Sequence, residues 1–106
     1  MYQIKILYHV PIGEEEYRKH LELPGVRVLA ENALGVMLDQ VQGDVGGKPV
    51  TQGVSLFYQD KETWERVASD PQVQAAVADA QRLAGGPDGL SVLEGEVQVL
   101  KVLVAV

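Results

Sequence analysis

Two histidines, four tyrosines and a single tryptophan are the side chains of this chain best suited to chemistry. His9 closes an alternating run just before Pro11, and His20 lies late in the run EEEYRKHLEL. An imidazole titrates near neutral pH, so either one can give or take a proton in a reaction. Each also has a plainer reading. His9 can be a strand-end side chain facing water. His20 can be a solvated cation near a helix C-terminus, where the helix dipole favours positive charge. Tyr2, Tyr8, Tyr17 and Tyr58 can offer hydroxyls to a bound molecule, or fill core or interface with their rings. Trp64 either lines the same space or anchors packing.

Other chemistries find little support. With no cysteine, disulfides, thiolate metal sites and cysteine nucleophiles are excluded, and a cytoplasmic location is expected. Glu14-Glu15-Glu16 lacks a second acidic cluster at ligand spacing, so no metal site is expected. Gly43 to Lys48 has the glycines of a phosphate loop but not the GxxxxGK[ST] spacing, and a strand follows where a helix is required. The net charge of -6 and scattered Lys and Arg argue against nucleic acid and against an acidic membrane surface. The apolar runs are too short for a transmembrane helix, and MYQIKILYHV reads as a first strand, not a signal peptide. Arg18 and Arg27 are the residues that could hold a carboxylate, against the plainer reading of solvated arginines.

The elements that would carry these residues follow from periodicity. Tyr2, Ile4, Ile6 and Tyr8 alternate with Gln3, Lys5, Leu7 and His9, which is a strand over 2–10 ended by Pro11 and Gly13. The run from Glu14 is a short helix with Tyr17 and Leu21 on its inward side, closed by Pro24-Gly25. Val26 to Gln42 fits a helical stripe about as well as a strand face. Gly35 inside it tips the reading toward a long, irregular strand. Gly43 to Pro49 has loop composition. Val50 to Tyr58 alternates again as a strand.

Asp60 is placed to cap a helix carrying Trp64, Val67 and Ala68 on one stripe. Ser69-Asp70-Pro71 restarts it, with Asp70 as cap and Pro71 in the first turn. Val73, Ala76, Val77, Ala80 and Leu83 continue the inward face up to Gly85-Gly86-Pro87. Leu90 to Val106 is strand-forming throughout, so long that it must bend at Gly95 or leave its sheet.

The order is βαββαβ, a ferredoxin-like α+β arrangement with two helices on one face of a four-stranded antiparallel sheet, in one domain spanning 1–106. The uncovered face inherits the valines of the last strand, Val97, Val99, Val102, Val104 and Val106 among them. A contiguous apolar face of that kind calls for a second copy packed with two-fold symmetry, so a homodimer through the open sheet face is expected.

Several segments resemble one family. LFYQDKETWERVASDP is similar to the strand, aspartate, helix and Ser-Pro step of the EthD-like branch of the dimeric α+β barrel superfamily. QVQAAVADAQRLAGG resembles its Ala-rich helix and glycine exit, SVLEGEV its closing strand, and LELPGVRVL the leucine-Pro-Gly approach to its second strand. The resemblance implies a dimer and a cleft between sheet and helices. It also implies cofactor-independent oxygenase, cyclase or decarboxylase chemistry there.

In that family a histidine followed by proline and a hydrophobic residue lies late in a longer first helix. Here His20 is in that region without the proline, and His9-Val10-Pro11-Ile12 has the pattern before the helix, so both are candidate catalytic residues. Tyr8, Tyr17, Tyr58 and Trp64 are the candidate lining of a site for a small apolar or aromatic molecule. The competing expectation is a non-catalytic structural or interaction domain. Its cleft would be filled by its own Tyr8, Leu56, Tyr58, Trp64 and Leu83.

Overall fold

The structure, a computed structural model, describes residues 1–100. Its central sheet is built from β1 (Tyr2–Tyr8), β2 (Gly35–Asp39), β5 (Gln52–Tyr58) and β6 (Leu90–Glu96), in the order β2-β5-β1-β6. Every neighbouring pair is antiparallel. Between β2 and β5 the chain inserts a small hairpin, β3 (Gly43–Val45) and β4 (Lys48–Val50). The helices come as two broken pairs: α1 (Glu14–Leu21) with α2 (Pro24–Glu31), and α3 (Lys61–Ala68) with α4 (Pro71–Leu83). This is the ferredoxin-like α+β fold.

The two breaks are alike. Leu23 and Asp70 are each extended, and each precedes a proline in the first turn of the next helix. Proline there fixes φ and gives up an N–H that has no partner in the helix anyway. Asp60 and Asp70 cap as their types dictate, accepting from the backbone of Thr63 at 2.7 Å and of Gln72 at 2.8 Å. Helix α1 has no side-chain cap. Its glutamates in the first turn and Arg18, Lys19 and His20 in the last complement the helix dipole instead.

Three expectations are corrected. Alternation in Val26 to Gln42 predicts a strand, yet Pro24 opens a helix and the backbone becomes extended only at Gly35. The reason is tertiary. Gly25 and Leu29 are buried in the α2–α4 contact, and Gly25 lies so close to the Gln72 carbonyl that a Cβ would collide with it. Where helix and strand patterns are equally present, the partner surface selects the helix. The GDVGGKP loop is in fact a hairpin. Gly46 and Gly47 have φ of 61° and 83°, the left-handed pair that a two-residue turn between twisted strands requires.

The last strand is also shorter than predicted. It runs in register past Gly95, which pairs with Gln3, and ends at Glu96 with no bend. Val97 and Val99 follow it outside any strand, and residues 101–106 lie outside the described residues.

Of the valines expected on the open face, Val102, Val104 and Val106 lie outside the described residues, and Val97 and Val99 lie beyond β6. The valines of these four strands, Val36, Val54 and Val92, all turn toward the helices. The open face instead has a polar centre: Lys5 Nζ donates to Asp39 Oδ2 at 2.8 Å and to Ser55 Oγ at 2.9 Å. Around it lie Leu7, Phe57, Met37 and Leu93, the last two about half exposed.

Candidate functional site: an apolar cavity walled by His20

On the helix side the core is divided. One cluster gathers Tyr2, Ile4, Leu29, Leu56, Tyr58, Val67 and Val73, and the other Tyr8, Ala80 and Ala84. Ile6 and Val54, at mid-sheet on paired strands, touch both clusters without being fully buried by either. A cavity of about 200 Å³ lies between sheet and helices. Its floor includes Ile6, Val54 and Leu56, its roof Leu29, Ala76 and Ala80, and its flanks Val36 and Leu38 on one edge strand and Val92 on the other. That volume suits a molecule of one or two rings, since a cavity of roughly 150 Å³ holds benzene. Among the described residues of its lining there is no Lys, Arg, Asp or Glu.

The sequence candidates divide into those on the cavity wall and those away from it. Tyr8, Tyr17, His20 and Trp64 are all on the wall. Tyr8 meets Tyr17 edge-on with centroids 6.0 Å apart, and Tyr17 stacks on His20 at 6.1 Å. Tyr58 and His9 are not on the wall. Tyr58 is wholly buried under Trp64, and its hydroxyl donates to the Leu29 carbonyl at 2.9 Å. His9 falls on the opposite side of the sheet. Its Nδ1–H donates to the Pro49 carbonyl at 2.9 Å, and the Ser91 hydroxyl donates to Nε2 at 2.6 Å, so it ties the hairpin to β6. Of the side chains proposed to close the cleft, Tyr8, Leu56 and Trp64 line it, and space remains. Arg18 pairs with Glu15 and Glu22 on the surface of α1.

The lining holds one imidazole, that of His20, beside phenols. Burial pushes the phenols of Tyr8 and Tyr17 up, the latter partly offset by a hydrogen bond with Gln52. Tyr58 is pushed up to about 12 for the same reason. These hydroxyls stay protonated and act as donors near neutral pH. His20 is buried, and its Nδ1 lies 2.8 Å from Asp79 Oδ2. The His20 hydrogen bond, with Arg82 beside it, holds the Asp79 carboxyl below the usual carboxylate range.

Two contributors had no sequence signal. Asp79 is a partly buried residue of α4, 59 residues from His20, and nothing in either helix announces the pairing. Glu94 accepts from Tyr2 Oη at 2.9 Å and from Trp64 Nε1 at 3.2 Å, which fixes the tryptophan at the cavity wall. Glu94 stands opposite Ile4 in the β1–β6 register, which the sequence alone does not give.

Fold and cavity together define a ferredoxin-like α+β domain with a hollow between sheet and helices. Neither a protein-family profile nor a curated protein matches the sequence. Solved structures do match in shape. An EthD family protein from Bacillus halodurans C-125 superposes with a TM-score of 0.68 at 18% identity, covering 92% of this chain and 99% of its own. A dimeric ferredoxin-like protein from Jannaschia sp. CCS1 gives the same TM-score and identity over 91% and 98%. SnoaB, a cofactor-independent oxygenase from Streptomyces nogalater, gives 0.60 at 9% identity over 96% and 94%. The likeness to EthD-type folds expected from the sequence motifs is therefore present in three dimensions. Among the described residues no helix is long and apolar enough to cross a membrane.

Proposed function

We propose that this protein is a homodimer that binds a small apolar or aromatic molecule in the cavity between sheet and helices. His20 serves there as the acid–base group of a cofactor-independent reaction, of the oxygenase, cyclase or decarboxylase type. One observation carries the reading: an unfilled, apolar hollow with a single imidazole in its wall. Tyr8, Tyr17 and Trp64 shape the site and offer ring faces, while Tyr58 and His9 hold the scaffold. SnoaB, a cofactor-independent oxygenase of the same fold, supports the reaction class. A cytoplasmic location fits the absence of cysteine.

The dimer would pair the open sheet faces, where Phe57, Met37 and Leu93 surround the Lys5–Asp39 ion pair. Neighbours described as dimeric share the fold. The unfilled volume weighs against the reading of a purely structural domain.

Trp64 is the only tryptophan and lies on the cavity wall, so its fluorescence reports occupancy. Nitrobenzene, small, uncharged and a quencher of indole, should quench it saturably. Ala80→Phe, which puts a ring into the cavity from α4, should abolish saturation. Linear, non-saturating quenching that is the same in both proteins would reject the binding site.

A further inference from the structure

From the geometry around His20 we infer that Asp79 is a positioning residue that makes Nε2 the base of the cavity, and that the ligand is an uncharged molecule with one weakly acidic O–H or C–H. This rests on the cavity being a binding site. The imidazole lies between two environments: His20 lines the cavity and Asp79 does not. With Nδ1 at 2.8 Å from Asp79 Oδ2, a carboxylate that can only accept, the ring proton must sit on Nδ1. In the neutral ring Nε2 is then the nitrogen with the lone pair. Asp79 is itself held from the far side, since Arg82 Nε donates to its other oxygen at 3.0 Å. Tyr17 stacked on the ring resists its rotation. The arrangement Arg82–Asp79–His20 thus sets both the tautomer and the aim of one nitrogen.

The same site restricts what may enter. No Lys, Arg, Asp or Glu lies in its lining among the described residues, so beside a neutral His20 a permanently charged molecule of either sign would be buried without an opposite charge. A phenol or an enolisable ketone enters neutral. Its O–H or C–H bond breaks, the proton goes to Nε2, and the electron pair stays on the ligand as phenolate or enolate. The new anion faces the new imidazolium, whose charge is met on the other side by Asp79, which remains ionised throughout.

The tautomer is read without any ligand. Nitrogen-15 imidazole spectra contain only His9 and His20. Wild type should show His20 protonated at Nδ1. In Asp79→Asn the amide can turn its NH₂ toward Nδ1, so the proton should move to Nε2, and Asp79→Glu should restore the wild-type pattern. A His20 tautomer that Asp79→Asn leaves unchanged would overturn the positioning role, because a mere tether between helices moves stability and not the proton.

For the ligand class, 4-nitrophenol is compared with 4-nitroanisole at slightly acidic pH, with Trp64 quenching as the measure of binding. Both should bind. Only the phenol should develop its yellow phenolate band on binding, and His20→Ala and Asp79→Asn should lose most of that band while still binding. Binding of both compounds with no phenolate band rejects the acid–base inference and leaves the cavity reading standing. No saturable quenching by either compound rejects both.

Discussion

Gly25 of α2 and Gln72 of α4 meet backbone to backbone. The space where a Cβ would stand on Gly25 is occupied by the Gln72 carbonyl and the Ala76 methyl. This contact joins the two helical pairs into one roof over the sheet. Ala76, which takes part in the contact, also lines the cavity.

Gly25→Ala tests that contact through two opposed effects. Alanine improves the helix by about 1 kcal/mol. The collision is with backbone, which cannot rotate away, and overpacking of this kind costs about 1–3 kcal/mol. The expected net is destabilisation, read as a lower urea midpoint with an unchanged slope. A more stable Gly25→Ala protein would show that α2 stands off from α4.

Tyr58→Phe removes the hydroxyl that serves the Leu29 carbonyl in a fully buried place while keeping the ring under Trp64. A loss of about 1 kcal/mol is expected, the usual net worth of such a bond. Nitrobenzene quenching of Trp64 should be unaffected, because Tyr58 is outside the cavity.

The Lys5 ammonium, donating to Asp39, holds that carboxyl below the usual carboxylate range, with Ser55 adding a second hydrogen bond. A carboxylate depressed in the folded state stabilises above its unfolded value, near 3.9, and loses that contribution as pH falls through the lower folded value. Wild type should therefore exceed Asp39→Asn by a constant margin at neutral pH, with the gap closing in acid. Urea titrations of both proteins across the acid range check the sign. A gap that widens toward low pH would mean the ion pair is not formed.

Leu93 is 54% exposed on the open face, one strand from Lys5. If that face pairs with a second copy, wild type should scatter light as twice the chain mass. Leu93→Lys, placing a charge against its own symmetry mate's surroundings, should yield the monomer. A wild-type monomer at micromolar concentration would remove the dimer from the proposed function.

Local rules were readable in the chain. Asp60 and Asp70 cap because a short carboxylate reaches the N–H two or three residues on, whatever lies further away. The alternation of β1 and β5, and the βαββαβ order, needed only periods of two and 3.6. Histidine late in the first helix was readable as a candidate base because of its residue type alone. Contacts between segments were not readable. Val26 to Glu31 carries two periods at once, and only the surface of α4 made it a helix. Likewise, strand alternation could not say which side the helices would cover, so the valines of β2, β5 and β6 went to the cavity and left Lys5 and Asp39 at the centre of the open face. The pairing of His20 with Asp79 depends on how two helices pack across 59 residues of chain, and neither residue's neighbours along the sequence hold that information.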